Sequence, residues 1–184
     1  MNATDLSCDD SEPPSSNLNL FIDVHGDVDP HSIPSPQTIT SWALHAVKGV
    51  PAYDANVMYE VSISVVDSPQ IQALNCDYRG KNSPTNVLSF PSNMPLIPAT
   101  ENSMAHRSLG DIVLCHSVIA TEASTQKKSV SNHWAHMDVH SVLHLFDYDH
   151  EQDDAATAME ALEVTLLEAL SISNPYQLSF QAHE

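Results

Sequence analysis

The chain has 184 residues, with 24 acidic against 6 basic side chains, a formal net charge of −18 and 42% apolar residues. That length and composition fit one soluble folded domain with tails, and exclude a chain too polar to build a core. No apolar run approaches the roughly 18 residues of a membrane-spanning helix. The first ten residues are too acidic for a secretory signal, and the charge taken alone argues against a nucleic-acid partner.

Residues 1–17 are rich in Ser, Asp and Pro and read as a disordered tail. Leu18 to Val24 has strand character. Ser35 as N-cap and Pro36 at the first helical position open a helix whose apolar stripe is Ile39, Trp42, Ala43, Ala46 and Val47. Gly49 and Pro51 end it. Alternation then predicts a half-buried strand, with Tyr59, Val61, Ile63 and Val65 on one face and Glu60, Ser62 and Ser64 on the other. Ser68-Pro69 begins a short helix through Ile71 and Leu74, followed by a loop over 78–84 and a strand over 86–90. The stretch 91–107 holds three prolines and reads as an exposed connection.

Leu109 to Cys115 is a further strand, and helices are expected over 116–129, 132–146 and 153–171. The last has Asp153 and Asp154 at its positive N-terminal end and a stripe of Ala155, Met159, Leu162, Leu166 and Leu170. This order predicts an α+β fold, a small mixed sheet packed with helices, in one domain over 18–176 between tails 1–17 and 177–184. Cys8, Cys76 and Cys115 are odd in number and widely spaced, which points to reduced thiols in a cytosolic protein. Only four glycines occur, where an average chain of this length holds about 13.

Histidine is concentrated where glycine is absent: five of the 11 fall between His133 and His150. His140 and His144 are four residues apart, which on a helix puts both rings on one face, and His150 follows after room for a turn. Three protein ligands with an open fourth position is the catalytic zinc pattern, where water is acidified. The plainer alternative is a helix with surface histidines, and the third histidine after a helix break weighs against it. His136 extends the same face, while Ala135, Val139, Val142, Leu143 and Phe146 form an opposite, core-facing side. Metzincin proteases share this spacing but need Glu after the first histidine, where Ser141 stands here, so peptide hydrolysis lacks its base.

Three segments together resemble the YbeY family of bacterial endoribonucleases, also called rRNA maturation factors. The first runs from Leu74-Asn75 through Tyr78-Arg79-Gly80-Lys81 to the stretch from Pro84 to Pro91. The second is Leu109 to Leu114, then Glu122-Ala123 and Gln126-Lys127. The third is the histidine segment with Tyr148-Asp149-His150, then Met159-Glu160 and Pro175-Tyr176. Ser141 and Asp147 replace two family glycines, and Asp138 stands where the family is usually apolar. Asp147 falls where the helix should end, and Asp is among the few residues that tolerate the left-handed conformation.

The resemblance implies a zinc-dependent endoribonuclease acting on single-stranded rRNA, notably at the 3′ end of the small-subunit rRNA, and in ribosome quality control. It implies one Zn²⁺ per chain on His140, His144 and His150, catalytic roles for His140 and Arg79, RNA contacts from Arg79 and Lys81, and a cytoplasmic site of action with the small ribosomal subunit and its assembly factors as partners. Arg79 offers a planar fork of donors for a phosphate and keeps its charge. Lys81 is either an RNA contact or a solvated lysine, and Asp149 either orients a ligand histidine or caps a turn. The alternatives are a non-catalytic ribosome-assembly factor with a structural metal, and a metal hydrolase of another class such as a peptidase.

The charge is segregated. Residues 1–30 hold seven acids and 147–184 nine, with no base in either, whereas Arg79, Lys81, Arg107, Lys127 and Lys128, five of the six bases, fall between 79 and 128. A local basic patch can bind RNA while the acidic remainder limits nonspecific binding.

Overall fold

The computed structural model describes residues 18–149 and 153–176; the expected tails, and His150, lie outside the described residues. In chain order the elements are β1 (Leu18–Val24), α1 (Pro36–Gly49), β2 (Val57–Val66), α2 (Ser68–Arg79), β3 (Val87–Pro91), β4 (Ala105–Cys115), α3 (His116–Thr125), α4 (Val130–Leu145) and α5 (Asp153–Ala169). The fold is α+β, with a mixed four-stranded sheet in the order β1-β2-β4-β3. β1 and β4 both run parallel to β2, and β3 is antiparallel to β4.

Alternation organises the sheet as expected. Tyr59, Val61, Ile63 and Val65 of β2 are buried in the main core with α1, α4 and α5. A smaller cluster of Val66, Ile71, Leu88, Val113 and Cys115 lies with α2 on the other side. Burial of this kind contributes about 1.5–3 kcal/mol per large apolar side chain before entropy is counted. Gly110, with φ +127°, is required where β4 passes β3: a Cβ there would stand 2.1 Å from the Phe90 carbonyl oxygen. No helix among the described residues is long and apolar enough to cross a membrane.

Two elements outrun their sequence expectation. α2 continues through Tyr78 and Arg79, read above as loop, because Asp67 and Gln70 form a capping box at its start and Gly80 caps its end in the left-handed region at φ 67°. β4 begins at Ala105, inside the expected exposed connection, because its first residues, Ala105 to Ser108, pair with β2.

α4 keeps its expected two sides but is deeply enclosed. It lies against α1, α3, α5, β3 and β4, and ten of its 16 residues are buried, including His133, Asp138 and Ser141. The apolar residues Ala135, Val139, Val142, Leu143 and Phe146 are all buried, whereas His136, His140 and His144 form a half-buried stripe on the other side, so the expected core side and histidine side are both present. Ser141 is accommodated in the core because its hydroxyl donates to the Met137 carbonyl at 2.6 Å.

Three helices end without glycine. Lys127 (φ 55°), Asp147 (φ 65°) and Ser171 (φ 61°) each take the left-handed conformation. Each cap carries the same pair of bonds: Lys127 and Lys128 N–H to the Ser124 and Ala123 carbonyls, Asp147 and Tyr148 to His144 and Leu143, and Ser171 and Ile172 to Glu168 and Leu167. This is the Schellman arrangement, in which glycine would sit without strain. The expected turn at Asp147 is thus present.

Candidate metal centre

α4 places His140 and His144 one turn apart, and their Nε2 atoms face each other at 3.1 Å. Two nitrogens bound at about 2.0–2.1 Å to one tetrahedral zinc stand roughly 3.3 Å apart, so the pair is spaced to share an ion. The helix stops directly after this pair, and the Asp147 cap turns the chain back towards Tyr148 and Asp149.

The other nitrogen of His140 is fixed by α5. Glu163 is wholly buried, and its Oε1 accepts from His140 Nδ1 at 2.8 Å. A carboxylate can only accept, so the proton sits on Nδ1 and the Nε2 lone pair is left for a metal. The Tyr176 hydroxyl donates to the second oxygen, Oε2. Burial pushes the Glu163 carboxyl up, but the bonds from His140 and Tyr176 outweigh it and hold it below the usual carboxylate range. Burial, and the bond to Glu163, push the Tyr176 hydroxyl well above its usual range.

Ligand atoms of His136, His140 and Glu163 also lie within 4.8 Å of one another and could together hold a cation. His136 Nε2 is 3.7 Å from Glu163 Oε1, too far for a hydrogen bond. Burial lowers its pKa to about 4, against the opposing charge of Glu163, so its ring is neutral. Both Glu163 oxygens are already engaged, which favours the His140–His144 pair as the ligating atoms and Glu163 as their support.

Arg79, Lys81 and His144 line one cavity of about 650 Å³, together with Asp147, Tyr148 and Asp149. The structure thus brings the two cationic candidates to the His144 side of the histidine pair, and places Asp149 beside them. His140 opens on a second cavity of about 270 Å³ with His136, Glu163 and Tyr176. The contributions of Glu163 and Tyr176 went unread in the sequence, although a signal was present. Met159, Glu163, Leu166 and Leu167 form the buried face of α5, and one acid in an apolar stripe needs a reason.

A sequence model of the endoribonuclease YbeY family matches residues 28–171. A protein of Alteromonas mediterranea named Endoribonuclease YbeY is 46% identical over 144 residues, which is 78% of this chain and 85% of that one. The solution structure of TM1509 from Thermotoga maritima matches with a TM-score of 0.53 at 22% identity, over 90% of this chain and 100% of that one, a likeness of fold. With the match spanning strands β2 to β4 and the histidine helix, the chain belongs to the YbeY family of endoribonucleases.

Proposed function

We propose that the chain is a zinc-dependent endoribonuclease that cleaves single-stranded RNA, acting in maturation of the small-subunit rRNA 3′ end and in ribosome quality control. Its setting would be the cytoplasm, with the small ribosomal subunit and its assembly factors as partners. The observation that carries the metal reading is the facing Nε2 pair of His140 and His144, with the His140 tautomer held by buried Glu163. His150, outside the described residues, is the proposed third ligand. A divalent ion there would supply Lewis-acid chemistry, polarising a phosphoryl oxygen and acidifying water.

The chain's own residues do the rest. Arg79, in the cavity shared with His144, would clamp the scissile phosphate through two parallel N–H donors. Lys81 would add charge on the same side. Glu163 would hold His140 so that one ring edge always faces the metal position, with Tyr176 holding Glu163 in turn.

The test pairs an RNA cleavage assay with metal quantification on the same preparations. His144→Ala is expected to lose the metal and the cleavage together. Arg79→Ala is expected to keep the metal while cleavage falls about 10–100-fold, the loss of a charge-assisted contact. If His136→Ala abolished metal binding and His144→Ala did not, the ion would belong to the His136–His140–Glu163 group instead.

A further inference from the structure

Upstream of the histidine pair, a separate cavity of about 400 Å³ opens where the turn after α3 meets the chain leaving α5. Its walls include Lys127, Lys128, Asn132, His133 and His136 from one side and Asn174 from the other. His136 also lines the cavity beside His140, so it is the shared wall between the two spaces. His136 and His140 are one helical turn apart, about 5.4 Å along the axis. The cavity therefore begins a single turn from the proposed metal position.

Its chemistry is that of an anion site. Two of the six basic residues of the chain meet there, against a molecule of net charge −18. Lys128 uses one ammonium proton on the Pro175 carbonyl at 2.9 Å, and an ammonium has three. The positive end of the α4 dipole lies at Ser129, its N-cap. Both ring nitrogens of His136 lack a hydrogen-bond partner among the described residues, and a neutral imidazole has one N–H to donate. Two carboxylates border this group and both are engaged: Glu122 by His133 Nε2 at 2.8 Å and the Asn86 amide, and Glu163, 3.7 Å from His136 Nε2, by His140 and Tyr176. The two segments framing the cavity leave helices through strained caps, at Lys127 and Ser171. Glycine would relieve that strain, so the lysine at position 127 carries a local cost.

We propose that this cavity is a phosphate subsite for the RNA backbone, placed upstream of the scissile position, with Lys127 and Lys128 as its cations. With Arg79 and Lys81 at the far end of the histidine row, it makes α4 a track with a positive group at each end. The subsite rests on the endoribonuclease reading for its ligand, and the test separates the two.

The decisive variant is Lys127→Gly, which removes the charge while relieving the left-handed backbone, so it cannot lose binding by failing to fold. Binding of a fluorescein-labelled single-stranded RNA to the zinc-loaded full chain is followed by anisotropy across a salt series, with cleavage read on gels from the same samples. The expected result is a Kd raised fivefold or more, a log Kd against log salt slope reduced by about 0.7, and a Tm no lower than the parent. Lys127→Arg should restore the binding, and Lys48→Gln, on exposed α1 surface, should leave the slope unchanged. Unaltered Kd and slope for Lys127→Gly in a protein that cleaves would overturn the subsite and leave the nuclease standing. Lys127-dependent binding without cleavage by the parent protein would support the subsite and overturn the nuclease. An equal effect from Lys48→Gln, or no RNA binding by the parent at all, would overturn the subsite.

Discussion

Two carboxyls are wholly buried, Glu163 on α5 and Asp138 on α4, and the fold treats them in opposite ways. Glu163 accepts from His140 on one oxygen and Tyr176 on the other, and its charge is favoured. Neither oxygen of Asp138 has a hydrogen-bond partner among the described residues, and burial pushes its pKa well above the ordinary carboxylate value. The lesson concerns location: a buried acid is held in place by groups that need it, or it is neutralised by a proton. Glu163 stands against the histidines, whereas Asp138, two residues before His140, points into a part of the core that offers it nothing.

The largest expected effect comes from breaking the favoured side. Glu163→Gln removes the charge but keeps the size, and should weaken zinc binding about 10–100-fold, as read by competition with a chromophoric chelator. Unchanged affinity would mean that Glu163 is a core residue with no hold on His140. Breaking the other side should help the protein. Asp138→Val is expected to raise stability by about 1–3 kcal/mol at neutral pH, read by denaturant unfolding. The sign with pH follows from the raised native pKa. The native state binds the proton more tightly than the unfolded chain, so this stability is fully present below about pH 4 and is lost as pH rises towards the native value, at about 1.4 kcal/mol per unit. The difference between parent and variant should therefore widen with rising pH, and a difference that is flat across pH would contradict a neutral Asp138. The smallest effect sharpens the favoured side: Tyr176→Phe leaves one Glu163 oxygen without its donor and should cost about 1 kcal/mol of stability. Its zinc affinity should fall less than that of Glu163→Gln.

Much of the architecture was legible in local chemistry. The strand β2 could be read from strict alternation between Tyr59 and Val65, and α1 from Ser35, Pro36 and Gly49, because caps and periodicity act over a few residues. The His140–His144 pair was legible for the same reason, since spacing of four on a helix is itself a geometry. The turn at Asp147 could be foreseen because few side chains tolerate its backbone.

What the sequence by itself determined about this protein is therefore its elements, their order, and the presence of two histidines on one helical face. Only the tertiary structure decided what stands behind them. Glu163 is 23 residues beyond His140 and Tyr176 a further 13, and nothing local ties either to the histidine. Packing of α5 on α4 brings them together, and the same packing leaves the His136, His140 and His144 side of α4 half-buried. The cavity between Lys127 and Asn174 has the same origin, formed by two helix exits far apart in the chain. Such features depend on contacts that exist only after the chain has closed on itself, where burial decides whether a charge is kept, partnered or neutralised.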